Sequence, residues 1–387
     1  MISSNIKNIA PSATLAVDAK AKHLKKEGKD ILIFGAGEPD FNTPENVKEA
    51  AKKAIDDNIT RYTPVGGIKE LKEAVIHKFK NVNKINYDDS EVMISCGGKH
   101  SLYNAILSIL DKVDECILPV PYWVSYEEMI KLADARTVFC KTGMGFKLTA
   151  KDVEKNISDK TKLLILNSPN NPSGAVVDLE EIKKIAKLAV ENNFYVLSDE
   201  VYEFFTYGDK KYASIASLNE KIKNLTITVN SVSKTYAMTG WRVGYCGGNK
   251  EVIDAMSNLQ SHSTGNASNI AQMAALEALN GKQDNVKRMV KAFDERRKFM
   301  HKRLNEIPGI NCLEPEGAFY AFPDISGTGL NSMDFASKLL DEALVAVVPG
   351  NAFGSEDHVR LSYAASMEEI EKGLDRIEKW TTKLLSI

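Results

Sequence analysis

The chain has 387 residues, of which 43% are hydrophobic and 26% are charged, and these values are typical of a folded globular protein. This length exceeds what one hydrophobic core usually organises, so we expect one large domain and one smaller domain. The 50 basic and 52 acidic residues give a formal net charge of −2 and form no long block of one sign, which argues against a nucleic-acid or anionic-membrane surface.

Targeting and metal-binding patterns are missing from the sequence. The N-terminal segment has no apolar core of about 7–15 residues like that of a signal peptide, and no run of about 20 apolar residues occurs elsewhere, so we predict a soluble cytoplasmic protein. The 5 cysteines show no CxxC spacing and the 6 histidines form no HxxH or HExxH pattern. We therefore predict free thiols and no bound metal ion.

Short apolar runs rich in valine, isoleucine and leucine recur along the chain and are typical of strands buried on both faces. They cover residues 91–96, 115–120, 162–167, 194–199, 225–230 and 241–246. Helical spacing separates several of them: Leu102, Ile106 and Ile109 form one stripe, and Ile182 and Ile185 belong to another. This alternation predicts an α/β fold with a large, mostly parallel sheet flanked by helices.

The C-terminal part of the chain follows a different pattern, with longer helices and fewer strands. A charged helix is predicted over 286–304 and another helix over 332–344, and the last helix places Ile370, Leu374 and Ile377 on one stripe. We therefore predict a smaller α+β domain here. The predicted division is 1–45 for an N-terminal arm and part of the small domain, 46–285 for the large domain, and 286–387 for the small C-terminal domain.

Polar and aromatic side chains follow the predicted strands, at the edge of a parallel sheet where ligands gather. They are Gly98, Lys99, Trp123, Asn171, Asp199, Tyr202, Ser231, Ser233 and Lys234, with Arg242 eight residues after the lysine. Each alone is compatible with a turn, a strand cap, a core aromatic or a surface charge. Together they offer an amine for an aldehyde, a carboxylate for a ring nitrogen, and N–H and cationic donors for a phosphate. Those are the requirements of pyridoxal phosphate (PLP).

Five segments resemble, in order and spacing, the motifs of the class I aminotransferases with the aspartate aminotransferase fold. They read AGEPDF, NSPNNPSG, SDEVYE, SVSKTYAMTGWRVGY and HVRLSYA. The resemblance extends from about residue 11 to the final helix, which is essentially the whole chain. It implies a PLP-dependent aminotransferase of fold type I, with PLP bound by the large domain, and it is closest to the bacterial branch that acts on aspartate.

The resemblance assigns roles around the cofactor ring. Lys234 would hold PLP as a Schiff base and then move a proton between the substrate Cα and the cofactor, so its pKa must lie well below the free value of about 10.4. Asp199 would keep the pyridine nitrogen protonated, and Tyr202 and Asn171 would hydrogen-bond the phenolic oxygen. Trp123 would stack on the ring face.

The resemblance also implies a phosphate site built from helix N–H groups, hydroxyls and a guanidinium. The groups concerned are the backbone N–H groups of Gly98 and Lys99, the hydroxyls of Ser231 and Ser233, and Arg242. Tyr62 matches the family tyrosine that reaches the phosphate of a neighbouring subunit. A homodimer with shared active sites is therefore implied.

The resemblance places the substrate α-carboxylate in a bidentate pair with Arg360, helped by Gly37, and it adds Trp123 and Asn171 to the substrate contacts. Arg360 would lie on the small domain and the reactive lysine on the large one, so domain closure is expected to assemble the site.

Substrate choice depends chiefly on Lys99. In the bacterial branch that GGKHS and PVPYWVSYEEM most resemble, this lysine meets the distal carboxylate of aspartate or glutamate, which is worth roughly 1.5–3 kcal/mol for a buried cation. Some relatives that transaminate prephenate carry a lysine where this chain has Ala10. The resemblance therefore implies exchange between L-aspartate and 2-oxoglutarate. Aromatic, alanine or prephenate aminotransferases, a PLP lyase and a PLP-binding regulator are the alternatives.

Overall fold

The computed structural model describes residues 2–11 and 13–386 and contains one seven-stranded sheet and two smaller ones. The strands are β1 Leu32–Ile33, β2 Val92–Ser95, β3 Glu115–Val120, β4 Arg136–Lys141, β5 Thr161–Asn167, β6 Tyr195–Asp199, β7 Thr226–Ser231, β8 Gly244–Gly247, β9 Tyr320–Ala321, β10 Val345–Ala346, β11 Val348–Pro349 and β12 Val359–Ser362. The helices are α1 Ser4–Lys7, α2 Ala13–Lys26, α3 Glu45–Asp56, α4 Lys69–Lys78, α5 Gly98–Ile109, α6 Ser125–Leu132, α7 Ala150–Glu154, α8 Leu179–Asn192, α9 Glu220–Asn224, α10 Val232–Thr235, α11 Lys250–Ser261, α12 Asn269–Asn280, α13 Asp284–Glu306, α14 Ser332–Ala343 and α15 Met367–Leu385.

The large sheet has the strand order β2-β8-β7-β6-β5-β3-β4. Neighbouring strands from β4 to β7 run parallel, whereas β8 runs antiparallel to both β7 and β2. The strands β5, β6 and β7 are almost wholly buried, as strands in a covered parallel sheet are. The predicted α/β fold with a mostly parallel sheet is therefore confirmed.

Two strands of the seven-stranded sheet differ from the sequence-based prediction. β8 begins at Gly244 rather than at residue 241, because Trp241 ends a short 3-10 turn and Arg242 has a left-handed φ of 56°. The edge strand β4 has no counterpart among the predicted strands. Most of its residues are exposed or half-buried, so it lacks the continuous apolar run by which the other strands were recognised.

The helices predicted beside the sheet form with the expected buried stripes. Leu102 and Ile106 are buried in α5, and Ile182 and Ile185 are buried in α8. Full burial of one such side chain contributes about 1.5–3 kcal/mol. Packing of these apolar faces therefore stabilises the helices more than intrinsic helix propensity does.

The C-terminal region combines long helices with the two smaller sheets. Ile370, Leu374 and Ile377 are buried on one side of α15, as predicted. The strands β11, β12 and β9 form an antiparallel sheet, while β1 pairs with β10 and so joins the N-terminal segment to the C-terminal region. The β1 and β10 pairing accords with grouping residues 1–45 with the small domain. The domain boundaries at 45/46 and 285/286 stay a prediction.

The five cysteines are free thiols, as predicted, and four of them are buried. Across residues 2–11 and 13–386, no helix combines the length and the apolar character needed to cross a membrane.

Candidate active site

A cleft of about 460 Å³ lies at the carboxyl ends of β5, β6 and β7, whose last residues Asn167, Asp199 and Ser231 all line it. This volume is within the range of about 300–1,000 Å³ that small-molecule sites occupy. The predicted site residues that line the cleft are Gly37, Gly98, Lys99, Trp123, Asn171, Asp199, Tyr202, Ser231, Ser233, Lys234, Arg242 and Arg360. Because the parallel strands end at the same edge of the sheet, side chains that are far apart in the sequence meet in one cleft.

Lys234 enters the cleft from α10, the short helix that directly follows β7. Its Nζ donates a hydrogen bond of 2.6 Å to the carbonyl oxygen of Gly37. Burial lowers the pKa of Lys234 to about 8; Arg360 and Arg242 act in the same direction, and Glu38 opposes them. The amine therefore loses its proton far more readily than a surface lysine does.

Asp199 ends β6 and is held in a fixed orientation. Its Oδ2 accepts a 2.6 Å hydrogen bond from the hydroxyl of Tyr126, and its Oδ1 accepts a 3.3 Å hydrogen bond from the N–H of Val201. Burial raises the pKa of Asp199 to about 6, although the Tyr126 hydrogen bond lowers it. A cation placed opposite this carboxyl group would keep it ionised.

A polar recess lies where α5 begins. Gly98 is the first residue of α5, so the backbone N–H groups of Gly98 and Lys99 have no intrahelical partner, whereas that of His100 donates to the carbonyl oxygen of Gly97 at 2.9 Å. Gly97 has a left-handed φ of 94°, and a side chain there would collide with the guanidinium of Arg242. Ser231 and Ser233 also line this cleft, and the hydroxyl oxygen of Ser231 accepts a 3.1 Å hydrogen bond from the N–H of Ser233. Helix N–H groups, hydroxyls and a guanidinium together suit a phosphate.

Arg360 is buried on β12, with 2% of its surface exposed. Nη1 donates to Oδ1 of Asn171 and Nη2 donates to the carbonyl oxygen of Gly35, both at 2.8 Å. The guanidinium also lies over the ring of Tyr320, 4.4 Å from its centroid. Nε has no hydrogen-bond partner, and none of the carboxylate side chains that the structure describes forms an ion pair with this arginine. A buried cation in this state favours an incoming carboxylate.

Lys99 lies at the mouth of the cleft and is exposed in the single chain, whereas the sequence-based estimate assumed a buried cation. Its Nζ lies 4.8 Å from the ring centroid of Trp123, which packs edge to face on Tyr126 with 5.3 Å between centroids. Partial burial lowers the pKa of Lys99, and the charge of Arg242 lowers it further. The Lys99 charge can reach a ligand in the cleft, but solvent weakens the interaction.

Tyr62 is the predicted site residue that does not line the cleft, and 98% of its surface is exposed. In the single chain it therefore contacts none of the predicted phosphate groups. Any role at a phosphate would require the cleft of a second chain.

Two tyrosines of the cleft were missed by reasoning from the sequence. Tyr126 holds Asp199, and Tyr320 lies against Arg360. The spacing of three residues between Trp123 and Tyr126 was an available signal, because one helical turn places such residues on the same side. Nothing in the segment GAFYAFPDI marks Tyr320, which reaches the cleft only through the pairing of β9 with β12.

The groups of the cleft suit each reactive part of PLP: its aldehyde, its ring nitrogen and its phosphate. Lys234 offers an amine with a lowered pKa, and Asp199 offers a fixed carboxyl group for a ring nitrogen. The recess beside Gly98 offers donors for a phosphate without a side chain that would fill it. Fold and site together define a PLP-binding enzyme with an α/β fold.

The family model described as "Aminotransferase class I and II" matches residues 29–377, and the chain belongs to this family. It is 46% identical to an "Aspartate aminotransferase" of Bacillus sp. (strain YM-2), over 98% of this chain and 99% of that one. It is 48% identical to a "Probable aspartate/prephenate aminotransferase" of Rickettsia conorii, over 98% of both chains. The structure of the Thermus thermophilus aspartate aminotransferase with maleate has a TM-score of 0.95 and 42% identity, over 98% of this chain and 99% of that one. The enzymes of this family depend on PLP.

Proposed function

We propose that the protein is an aspartate aminotransferase, which converts L-aspartate and 2-oxoglutarate to oxaloacetate and L-glutamate in two half-reactions. One observation carries the proposal: Arg360, a buried guanidinium with no carboxylate partner among the described side chains, faces the same cleft as Lys234, an amine of lowered pKa. The name of the Bacillus relative supports aspartate as the substrate. Aromatic, alanine or prephenate specificity is the alternative, and the Rickettsia conorii relative is named for both aspartate and prephenate.

Lys234 would act at the reacting carbon. PLP, when bound, supplies a ring that accepts the electrons left at the substrate Cα. Lys234 would hold the cofactor through Nζ, and after displacement by the substrate amine it would remove the Cα proton and deliver one during the return step. With a pKa of about 8, about one amine in ten is neutral at pH 7, compared with about one in 3,000 at the ordinary value.

The cofactor ring would lie between Trp123 and the strand ends, where three side chains hold its polar atoms. Asp199 would hold a proton on the ring nitrogen, since a cation opposite this buried carboxyl group lowers its pKa again. Tyr202 and Asn171 would contact the phenolic oxygen. The Asn171 Oδ1 already accepts from Arg360, so the amide N–H groups are the part that suits this oxygen.

Different groups of the cleft would hold the phosphate and the substrate carboxylate. Gly98, Lys99, Ser231, Ser233 and Arg242 would bind the phosphate through N–H groups, hydroxyls and a guanidinium. The α-carboxylate would pair with the buried arginine on β12, near Gly37. This pairing fixes the orientation of the Cα–H bond, and closure of the small domain would exclude water. Closure and a cytoplasmic location stay predictions.

The proposal is tested by the visible absorption of the purified protein loaded with PLP. We expect L-aspartate to bleach the visible band and 2-oxoglutarate to restore it, because the two half-reactions interconvert the two cofactor forms. A protein that shows no band, or a band that no amino acid bleaches, would contradict the enzyme reading. Faster bleaching by an aromatic amino acid or alanine than by aspartate would favour the alternative specificity.

Replacement of Lys99 by alanine is expected to reduce kcat/KM for aspartate about tenfold and to leave that for alanine nearly unchanged. The exposed position of Lys99 puts the loss at the lower end of the range for a charge-assisted pair, about 1.4 kcal/mol. Steady-state kinetics with both amino acids measures the ratio, and Lys112→Ala on an exposed turn is the matched control. Equal losses of kcat/KM for aspartate and alanine would show that Lys99 does not bind the distal carboxylate.

Tyr62 is proposed to complete the phosphate site of a partner chain in a homodimer. Tyr62→Phe is expected to weaken PLP binding about tenfold, because one hydrogen bond to a charged group is lost. Hybrid dimers of one Tyr62→Phe chain and one Lys234→Ala chain provide the control.

In such a dimer, Lys234 is present only in the Tyr62→Phe chain, and the site around it would receive the wild-type Tyr62 of the Lys234→Ala chain. PLP retention at this site should therefore return to the wild-type value. Continued weak retention, or a particle with the 42.7 kDa mass of one chain, would exclude the shared site.

A further inference from the structure

Tyr320 is a fully buried residue of the cleft for which the family motifs in the sequence give no role. It lies on β9, opposite Ser362 of β12, and therefore beside the strand that carries Arg360. Its hydroxyl lies 2.9 Å from the hydroxyl of Tyr202, which follows β6 of the large sheet. Tyr320 is thus a direct contact between the small antiparallel sheet and the strand ends of the large sheet.

The two parts of the Tyr320 side chain have separate neighbours. The ring lies under the guanidinium of Arg360, with 4.4 Å between the guanidinium carbon and the ring centroid. The hydroxyl faces Tyr202 and also limits the space at Gly37, where a Cβ atom would lie 3.1 Å from it. A substitution that removes only the hydroxyl therefore separates the two sets of contacts.

A count of protons sets the direction of the hydrogen bond between the two tyrosines. Each phenol has one proton to donate, and its oxygen can accept at the same time. Burial raises the pKa of both hydroxyl groups, so both are neutral at physiological pH. If Tyr202 gives its proton to the phenolic oxygen of the cofactor, as the proposed function requires, its own oxygen must accept the proton of Tyr320.

We propose that Tyr320 is a positioning residue that, through the Tyr202 hydroxyl, strengthens the hydrogen bond received by the phenolic oxygen of the cofactor. A hydroxyl that accepts one hydrogen bond becomes a better donor of the next, and the effect is larger in a buried site. This inference rests on the proposed function. It adds to that function a residue of the small sheet that acts on the cofactor without touching it.

The test is a pH titration of the visible absorption band of the PLP-loaded protein. The titration of the wild type is compared with that of Tyr320→Phe. Loss of the Tyr320 hydroxyl weakens donation to the phenolic oxygen, so the Lys234 nitrogen that links the cofactor becomes more basic. We expect the apparent pKa of the band to rise by about half a unit, a fraction of what one neutral hydrogen bond can supply. The ring under the guanidinium remains, so KM for aspartate should change by less than about twofold.

Two controls separate this role from a merely structural one. Tyr363→Phe removes another fully buried hydroxyl, which donates to the carbonyl oxygen of Ala318 at 3.1 Å, and it should leave the titration unchanged. In a Tyr202→Phe background, Tyr320→Phe should cause no further shift, because the relay is already broken. Equal shifts in Tyr320→Phe and Tyr363→Phe, or a full shift without Tyr202, would overturn the inference.

The outcomes also separate this inference from the proposed function. A wild-type band that titrates and bleaches with aspartate, but is unmoved in Tyr320→Phe, contradicts the role of Tyr320 alone. A wild-type protein without a band contradicts both.

Discussion

Replacement of Lys234 by alanine is expected to lower kcat for aspartate by at least about 10²–10⁴-fold, the usual contribution of a positioned general acid–base group. The variant also loses the amine that would hold the cofactor covalently. Lys234 is half-buried beside Gly37, and the other lysines that line the described cleft, Lys22 and Lys99, are exposed. Single-turnover bleaching with aspartate measures the loss.

Borohydride reduction of the loaded protein identifies the attachment site directly. In the wild type the cofactor should be fixed to the peptide that contains Lys234, and in Lys234→Ala no peptide should carry it. Lys183→Ala, on the exposed side of α8, is the control and should behave as the wild type does. Wild-type labelling of Lys99 or Lys22 instead would show that Lys234 is not the reactive amine.

The lowered pKa of Lys234 gives the same prediction a pH dependence. Only the neutral amine attacks an aldehyde, and the pKa of this amine in the protein without cofactor is about 8. The rate of PLP capture should therefore rise about tenfold per pH unit below pH 8 and level off above it. A rate that still rises steeply between pH 9 and 10 would place the reacting amine in an ordinary surface environment.

The parts of the fold that were predicted from the sequence share a physical reason. Strands β5, β6 and β7 are buried on both faces, so their apolar runs are continuous and their ends are marked by Asn167, Asp199 and Ser231. Edge strand β4 has no such run, because one of its sides is unpaired and most of its residues are exposed or half-buried. A strand of this sheet is therefore recognised in the sequence where its burial is nearly complete, whereas the helices are recognised by a periodic stripe on one face.

The parts of the site that sequence reasoning missed depend on contacts between distant segments. Tyr126 meets Asp199 across 73 residues, and Tyr320 meets Tyr202 across 118. No local spacing encodes the second of these contacts. The exposure of Lys99 is likewise decided by what surrounds the cleft mouth, and the role of Tyr62 by whether a second chain is present. Motifs identify the groups that react, whereas the groups that orient them become visible only in three dimensions.

Replacement of Arg360 by methionine is expected to reduce kcat/KM roughly 10²- to 10⁴-fold, because loss of one partner of a buried charge pair costs about 3–5 kcal/mol. The α-carboxylate is common to all amino acids, so aspartate and alanine should lose activity equally, in contrast to the selective effect expected for Lys99. Arg360→Lys retains the charge without the planar fork and should recover only part of the loss. Steady-state kinetics with both amino acids provides the measurement.

A binding assay separates loss of the carboxylate site from loss of the fold. Arg360 has no carboxylate partner of its own in the described part of the chain, so a dicarboxylate such as maleate should raise the wild-type melting temperature by binding the folded state. Arg360→Met should show no such rise, yet it should retain the visible band of bound PLP. Arg296→Met, which removes an arginine already paired with Asp40 at 2.7 Å, should keep the maleate response. If Arg360→Met keeps it as well, the substrate carboxylate binds elsewhere, because the guanidinium proposed to bind it is absent from this variant.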